Sequence, residues 1–411
     1  MKELLKPFFL FCLLTITFYA CDDFDDEKID GNENEYLVEQ NLVTSHDQGI
    51  INLTINFLAT QNPALNEIKD KFTSGVDVYK ITYNTTFEGE TVVASGLVCV
   101  PKTPGDYPLM SFQNGTNTLH DAAPTEAPNS DLFKVLEMMA SSGFVIAIPD
   151  YLGFGASDDM FHPYLHAEST VQSVTDMLRA VKEFVEEKGT VTLNNDLYIT
   201  GYSQGGWSTM QLQKAIETQY SGEFNLKASA CGAGPYNIST VTEVVTTATE
   251  YPMPYFLAYL YNSYAELDME TPMDSVFQEV YADKIPGLFD GNHSGAQIND
   301  SLTTVVADLF QPNFVANWKT GATFASLREM LSENSIEGYN TQVPTMLLHG
   351  TADTYVPPIL SSNLHQQFMD KGVSAELVKL VPLSGLDHTG AIMPAELAAI
   401  AWFIQLRDGE L

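Results

Sequence analysis

A chain of 411 residues, 45% of them apolar, has room for one large core and an accessory element. Its 53 acidic side chains against 19 lysines and arginines leave a formal net charge of −34. That excludes nucleic acid as a partner, because phosphate binding needs a cationic footprint, and it disfavours tight docking on anionic lipid.

The first stretch is built for targeting. Met1-Lys-Glu-Leu-Leu-Lys6 is a short basic start, and Phe8 to Ala20 is an apolar run too short for a lasting membrane span. Phe18 occupies the place where ordinary leader cleavage before Cys21 wants a small residue. Removal of residues 1–20 just before a cysteine that is then lipidated fits Tyr19-Ala20-Cys21 better. This resembles a bacterial lipoprotein signal, which implies an envelope protein held by a lipid on Cys21, with free secretion as the alternative. Acidic residues from Asp22 to Glu27 resemble a surface-export signal, implying display on the outer membrane. The acidic, polar segment 21–35 reads as a disordered tether.

Residues 36–70 read as a lead-in of modest helical character. Strands are then expected at about 76–83, 91–100, 108–113, 143–149, 196–200, 226–232, 343–349 and 374–381. The later ones alternate with helices, which argues an α/β protein with a mostly parallel, eight-stranded sheet covered on both faces. Val171, Val174, Leu178, Val181 and Val185 recur at helical spacing, and Gly189 stops that helix. Cys12 leaves with the leader, while Cys99 and Cys231 fall on separate strands and read as buried thiols. No metal-spaced His/Cys/Asp cluster and no glycine-rich phosphate cradle occurs in the sequence, so no cofactor or metal is expected.

Gly201-Tyr202-Ser203-Gln204-Gly205 is the most informative stretch. It follows the strand-like Asp196-Leu-Tyr-Ile-Thr200 and precedes a helix-like run from Trp207 to Glu217. A serine on a sharp strand-to-helix turn holds its hydroxyl out of the sheet, and the residues two either side must be small. The following helix offers unpaired N–H groups to a developing negative charge. Two partners come later. Asp353 lies in a loop just past the strand ending at His349, and His388 lies in the loop after the next strand. The order Ser203, Asp353, His388 is nucleophile, acid, base. Asp387, beside the histidine, is a competing acid.

A tetrahedral intermediate needs two N–H donors. The backbone of Gln204 is the first; the loop Gln113-Asn114-Gly115-Thr116 supplies the second, assigned to Thr116 with Asn114 as a rival. Between the sixth and seventh expected strands, residues 237–340 are too long for a connection and must fold as their own element. Their aromatic run Tyr251 to Tyr264, helical after Pro254, includes Tyr255 and Phe256. With Tyr202 and Tyr151 these are the candidate pocket residues, or else the element's own core.

The chain resembles the α/β-hydrolase superfamily, and within it the secreted lipase/esterase group that includes yeast lipase A-type enzymes. The residues that carry the likeness are the elbow at 201–206, Pro149-Asp150-Tyr151-Leu-Gly-Phe-Gly155, the long insertion before the acid and the His-Gly-x-x-Asp run at 349–353. It spans about residues 75–406. The resemblance implies a core of 36–236 and 341–411, a cap of 237–340, and a serine esterase acting on small-molecule or glycan esters through an acyl-enzyme. A prolyl-oligopeptidase-type peptidase shares elbow and triad, although the residues before Val76 are too few for its usual propeller. A non-catalytic surface binding protein is the third reading.

Overall fold

The computed structural model describes residues 34–128 and 130–410. The leader, Cys21 and nearly all of the acidic segment lie outside the described residues. Nine strands form one sheet: β1 Leu37–His46, β2 Val76–Phe87, β3 Glu90–Pro101, β4 Asp106–Gln113, β5 Val145–Pro149, β6 Thr192–Tyr202, β7 Asn225–Gly232, β8 Thr345–Gly350 and β9 Val378–Leu383. Their spatial order is β1-β2-β3-β5-β4-β6-β7-β8-β9. The pairs from β5 and β4 through β9 are parallel, and those joining β1, β2, β3 and β5 are antiparallel.

Central parallel strands are buried on both faces, so they read as continuous apolar runs; all five residues of β5 are buried. Alternate side chains divide between two cores. On β3, Leu97 and Cys99 pack with Ile51, Phe133 and Ile400 on one face. Val98 and Val100 pack with Val174, Leu178, Val181 and Val185 on the other. The helices Gln48–Ala59, Asp131–Met139 and Ile392–Asp408 thus cover one face, and Ala167–Lys188 and Gln204–Thr218 the other. Gly189, at φ 61°, ends the helix of the valine stripe. Cys99 and Cys231 are buried free thiols.

Three expectations are corrected. The sheet has nine strands rather than eight, because β1 lies inside the stretch read as a helical lead-in. It is a twice-bulged edge strand paired antiparallel to β2, and most of its side chains are not buried. With little to bury, it shows no clean alternation. The last strand begins at Val378, not 374, because the Leu377 and Val378 N–H groups turn back onto the Ser374 carbonyl. Asn34 and Glu35, read as the end of a disordered tether, are ordered, since Asn34 and the Glu35 N–H bond Glu187 and Glu183 of the valine-stripe helix.

Residues 237–340 form a helical layer between β7 and β8, opened by the helices Ile238–Thr247 and Pro254–Glu266. Proline at the first helical position costs no hydrogen bond. This layer has its own core, in which Tyr261, Tyr264, Phe277, Phe310, Phe314 and Phe324 are fully buried.

Candidate active site

Parallel strands put all their C-terminal ends on one edge, and β4, β6 and β8 lead into the site there. Gln113, the last residue of β4, pairs with Gly201 on β6. Ser203 follows at φ 61° and ψ −120°, a strained combination outside the usual basins for a side-chain-bearing residue. A Cβ on Gly201 or Gly205 would strike the Gln113 carbonyl, so the turn closes only with glycine at those places.

The serine Oγ lies 2.9 Å from His388 Nε2. His388 Nδ1 lies 2.6 Å from Asp353 Oδ2. A carboxylate oxygen only accepts, so Nδ1 carries the proton and Nε2 is left to accept from the serine hydroxyl. The other Asp353 oxygen accepts the N–H groups of Tyr355 and Val356, each at 2.9 Å. Burial pushes the Asp353 carboxyl up, but hydrogen bonds from His349 and His388 outweigh it and lower it to about 2. Asp387 is exposed and accepts the Gly390 N–H at 2.7 Å, capping its own loop. Geometry therefore separates the two acids.

Several contacts that sequence reasoning did not foresee support this arrangement. His349 Nε2 donates to the Val356 carbonyl at 2.9 Å and sits 3.2 Å from Asp353 Oδ2; its Nδ1 accepts from Ser361 at 2.6 Å. The Tyr202 hydroxyl donates to the His388 carbonyl at 2.8 Å. His162 Nδ1 donates to the Leu152 carbonyl at 2.7 Å, leaving Nε2 to accept from the Gln204 amide at 2.8 Å. Burial pushes His162 down to about 4 against the pull of those two bonds, so it stays neutral and holds that direction. The only hint at His349 was the His-Gly-x-x-Asp run, and nothing local marked His162.

The Ser203 N–H is committed to the Gly232 carbonyl at 2.8 Å. The first N–H groups of a helix have no intrahelical acceptor, and the helix here begins at Gln204. Across from it, a Cβ on Gly115 would lie 3.9 Å from the Ser203 Cβ, so the 114–116 loop abuts Ser203. Thr116 Oγ1 meets the Tyr164 hydroxyl at 2.7 Å. The Asn114 side-chain amide instead donates to the Pro149 carbonyl, and its backbone carbonyl accepts from Tyr151 at 3.2 Å.

A cavity of about 390 Å³ opens over Ser203. Tyr151, Tyr202, Tyr255 and Phe256 all line it, with Asn114, Thr116, Gln204 and His388. Tyr255 and Phe256 come from the cap, and the Tyr251 hydroxyl bonds the Tyr355 carbonyl at 3.0 Å, tying cap to acid loop. Asp150 is buried and accepts from Ser95 and Thr125, so the turn after β5 serves as scaffold. Among the described residues no cluster of His, Cys, Asp or Glu could hold a metal, and no helix is long and apolar enough to cross a membrane.

A mostly parallel sheet with helices on both faces, a strained elbow after its central strand and a helical insertion over the strand ends define an α/β-hydrolase. Solved structures agree. A Legionella pneumophila protein matches at TM-score 0.80 and 25% identity, covering 92% of this chain and 100% of its own. The rice cell wall degrading esterase LipA from Xanthomonas oryzae matches at TM-score 0.76 and 26% identity, over 91% of this chain and 98% of its own. Candida antarctica lipase A shares the fold at TM-score 0.67 and 16% identity, over 92% and 83%. No curated protein matches the chain in sequence. The model of the secretory lipase family matches residues 121–410, and the chain belongs to that family. It is a carboxylic-ester hydrolase.

Proposed function

We propose that hydrolysis runs through an acyl-enzyme on Ser203, with His388 as general base and acid and Asp353 as its orienting carboxylate. The Ser203 oxygen attacks the ester carbonyl carbon while its proton passes to His388 Nε2. Asp353, ionised at any working pH, stabilises the imidazolium. The carbonyl oxygen, now negative, accepts from the Gln204 N–H and from Thr116. The bond to the alcohol oxygen breaks as His388 returns the proton to that oxygen. Water then repeats the sequence: His388 takes its proton, its oxygen attacks the acyl carbon, and the carboxylic acid leaves as Ser203 is reprotonated. Thr116 is preferred to Asn114 as second donor because the Asn114 side-chain amide is engaged with the Pro149 carbonyl, whereas the Thr116 hydroxyl can accept from Tyr164 and still donate.

The 2.9 Å and 2.6 Å contacts that join the three side chains on one sheet edge carry this reading. It is tested with Ser203→Ala. Turnover of p-nitrophenyl esters should fall by about 10⁴–10⁶, and labelling by a fluorophosphonate probe should vanish, with the fold cooperative. Near-normal turnover would overturn the assignment. The rice cell wall esterase among the structural relatives supports acylated carbohydrate as a substrate, and lipid esters fit the family description equally. Export is supported by the secretory family, and anchoring through a lipid on Cys21 is part of the proposal.

A further inference from the structure

Ser203 sits between two cavities of unequal size. Besides the 390 Å³ cavity, a recess of about 30 Å³ reaches it from the cap side. Phe256 and Tyr355 border both and divide them. The described wall of the recess is apolar, made largely by Ile238, Val241, Leu257, Leu260 and Val356. Tyr164 and Tyr251 also reach it, but their hydroxyls are spent on Thr116 and on the Tyr355 carbonyl. Such a hydrocarbon-lined space stays dry until an apolar group enters it.

The direction of proton transfer decides which half of an ester goes where. The alcohol oxygen must receive its proton from His388 Nε2, so the leaving group has to lie on the histidine's side of the serine. His388 and Thr389 are on the wall of the large cavity. The acyl chain is then directed to the opposite side, where the recess is.

We propose that the recess is the acyl site and the large cavity the alcohol site, so that the enzyme acts on short-acyl esters of bulky alcohols. This rests on the triad reading above. A space of that size takes up to about three carbons beyond the carbonyl, which means acetyl to butyryl groups. The alcohol site, by contrast, presents the rings of Phe133, Tyr151, Phe154 and Tyr255. Their apolar surface suits a sugar ring or an aromatic alcohol.

The test is kcat/KM on p-nitrophenyl acetate, butyrate, octanoate and laurate with the full-length enzyme. From butyrate to octanoate the value should fall on the order of 100-fold, the scale of discrimination by an apolar pocket. Leu257→Ala opens the recess and should raise the octanoate-to-butyrate ratio about tenfold. Val241→Ile adds one methylene to its wall and should lower the butyrate-to-acetate ratio on the order of tenfold. Phe133→Ala, on the alcohol side, should weaken turnover of naphthyl acetate and leave the acyl-chain profile as it was.

Octanoate turned over as well as butyrate overturns the assignment of the two sites, and so does a chain-length profile moved by Phe133→Ala instead of by the recess variants. Should Leu257→Ala fail to fold, an unchanged ratio in Val241→Ile overturns it equally. These outcomes leave the triad standing. Absence of all ester turnover, with Ser203 unlabelled by fluorophosphonate, removes the triad reading and this inference together.

Discussion

One oxygen of Asp353 faces both His388 and His349, while the other takes two backbone N–H groups. The carboxylate is therefore held in both direction and charge. Asp353→Asn presents the wrong hydrogen-bonding group to His388 Nδ1 and should reduce kcat by about 10⁴. Asp387→Asn disturbs an exposed loop cap and should leave kcat near its starting value; steady-state kinetics on the pair would reassign the acid if the ranking reversed. His349 contributes the largest pull on the Asp353 carboxyl toward low pH. A carboxylate lowered on folding adds stability above its unfolded range, near 4, and loses it as pH falls toward 2. Removing that pull in His349→Phe should shift acid unfolding, followed by circular dichroism, to higher pH. It should also lower kcat on the order of tenfold with KM unchanged, since only the orientation of His388 suffers. The strand ends that carry Ser203, Asp353 and His388 were legible from apolar runs and the polar loops after them. His349 was not, because its role depends on a carboxylate folded back against it.

The elbow is the element on which the site depends, and it is braced from beneath. Thr200, three residues before Ser203, donates to Glu396 of the C-terminal helix at 3.1 Å. Glu396 is fully buried, and loss of solvation pushes its carboxyl up to about 8 against the pull of the Thr200 bond. It therefore carries a proton at neutral pH. The unfolded chain gives up that proton near 4.5, so the contribution of Glu396 to stability is complete below that pH and is lost as pH rises to about 8. Glu396→Gln keeps the bond without the titration. Its melting temperature should match the parent near pH 5 and exceed it by a few degrees at pH 9, as differential scanning calorimetry would show. Above the elbow, the Trp207 and Gln211 side chains both donate to the Asn334 carbonyl, binding the nucleophile helix to the end of the cap. The strands flanking the elbow were readable because buried parallel strands are continuous apolar runs. Edge strand β1 was not, because its stability comes from pairing with β2 rather than from a pattern of its own.

For the molecule as a whole, the cap is the part that both carries its own core and borders the cavity. Its rings serve two purposes: Tyr261 and Phe314 fill its own core, while Tyr255 and Phe256 face the cavity over Ser203. The sequence reading left these alternatives open, since an aromatic run has the same composition whichever way its rings point. At the other end of the chain, anchoring through Cys21 predicts incorporation of radiolabelled palmitate, lost in Cys21→Ala. Absence of label in the parent protein would leave free secretion as the route. A net charge of −34 over the whole chain disfavours tight docking on anionic surfaces.

By itself, the order of residues along the chain determined the α/β class, the serine at the elbow, the chain order of acid and base, and the existence of a long insertion. Each follows from local patterns: apolar runs, small residues around a strained turn, and polar loops at strand ends. Only the tertiary structure decided between Asp353 and Asp387, recruited His349 and His162 as supports, turned Tyr255 inward and set the sizes of the two cavities. Those outcomes depend on side chains from separate strands, loops and helices meeting at fixed distances, and such distances arise from packing the whole sheet, not from any window of sequence.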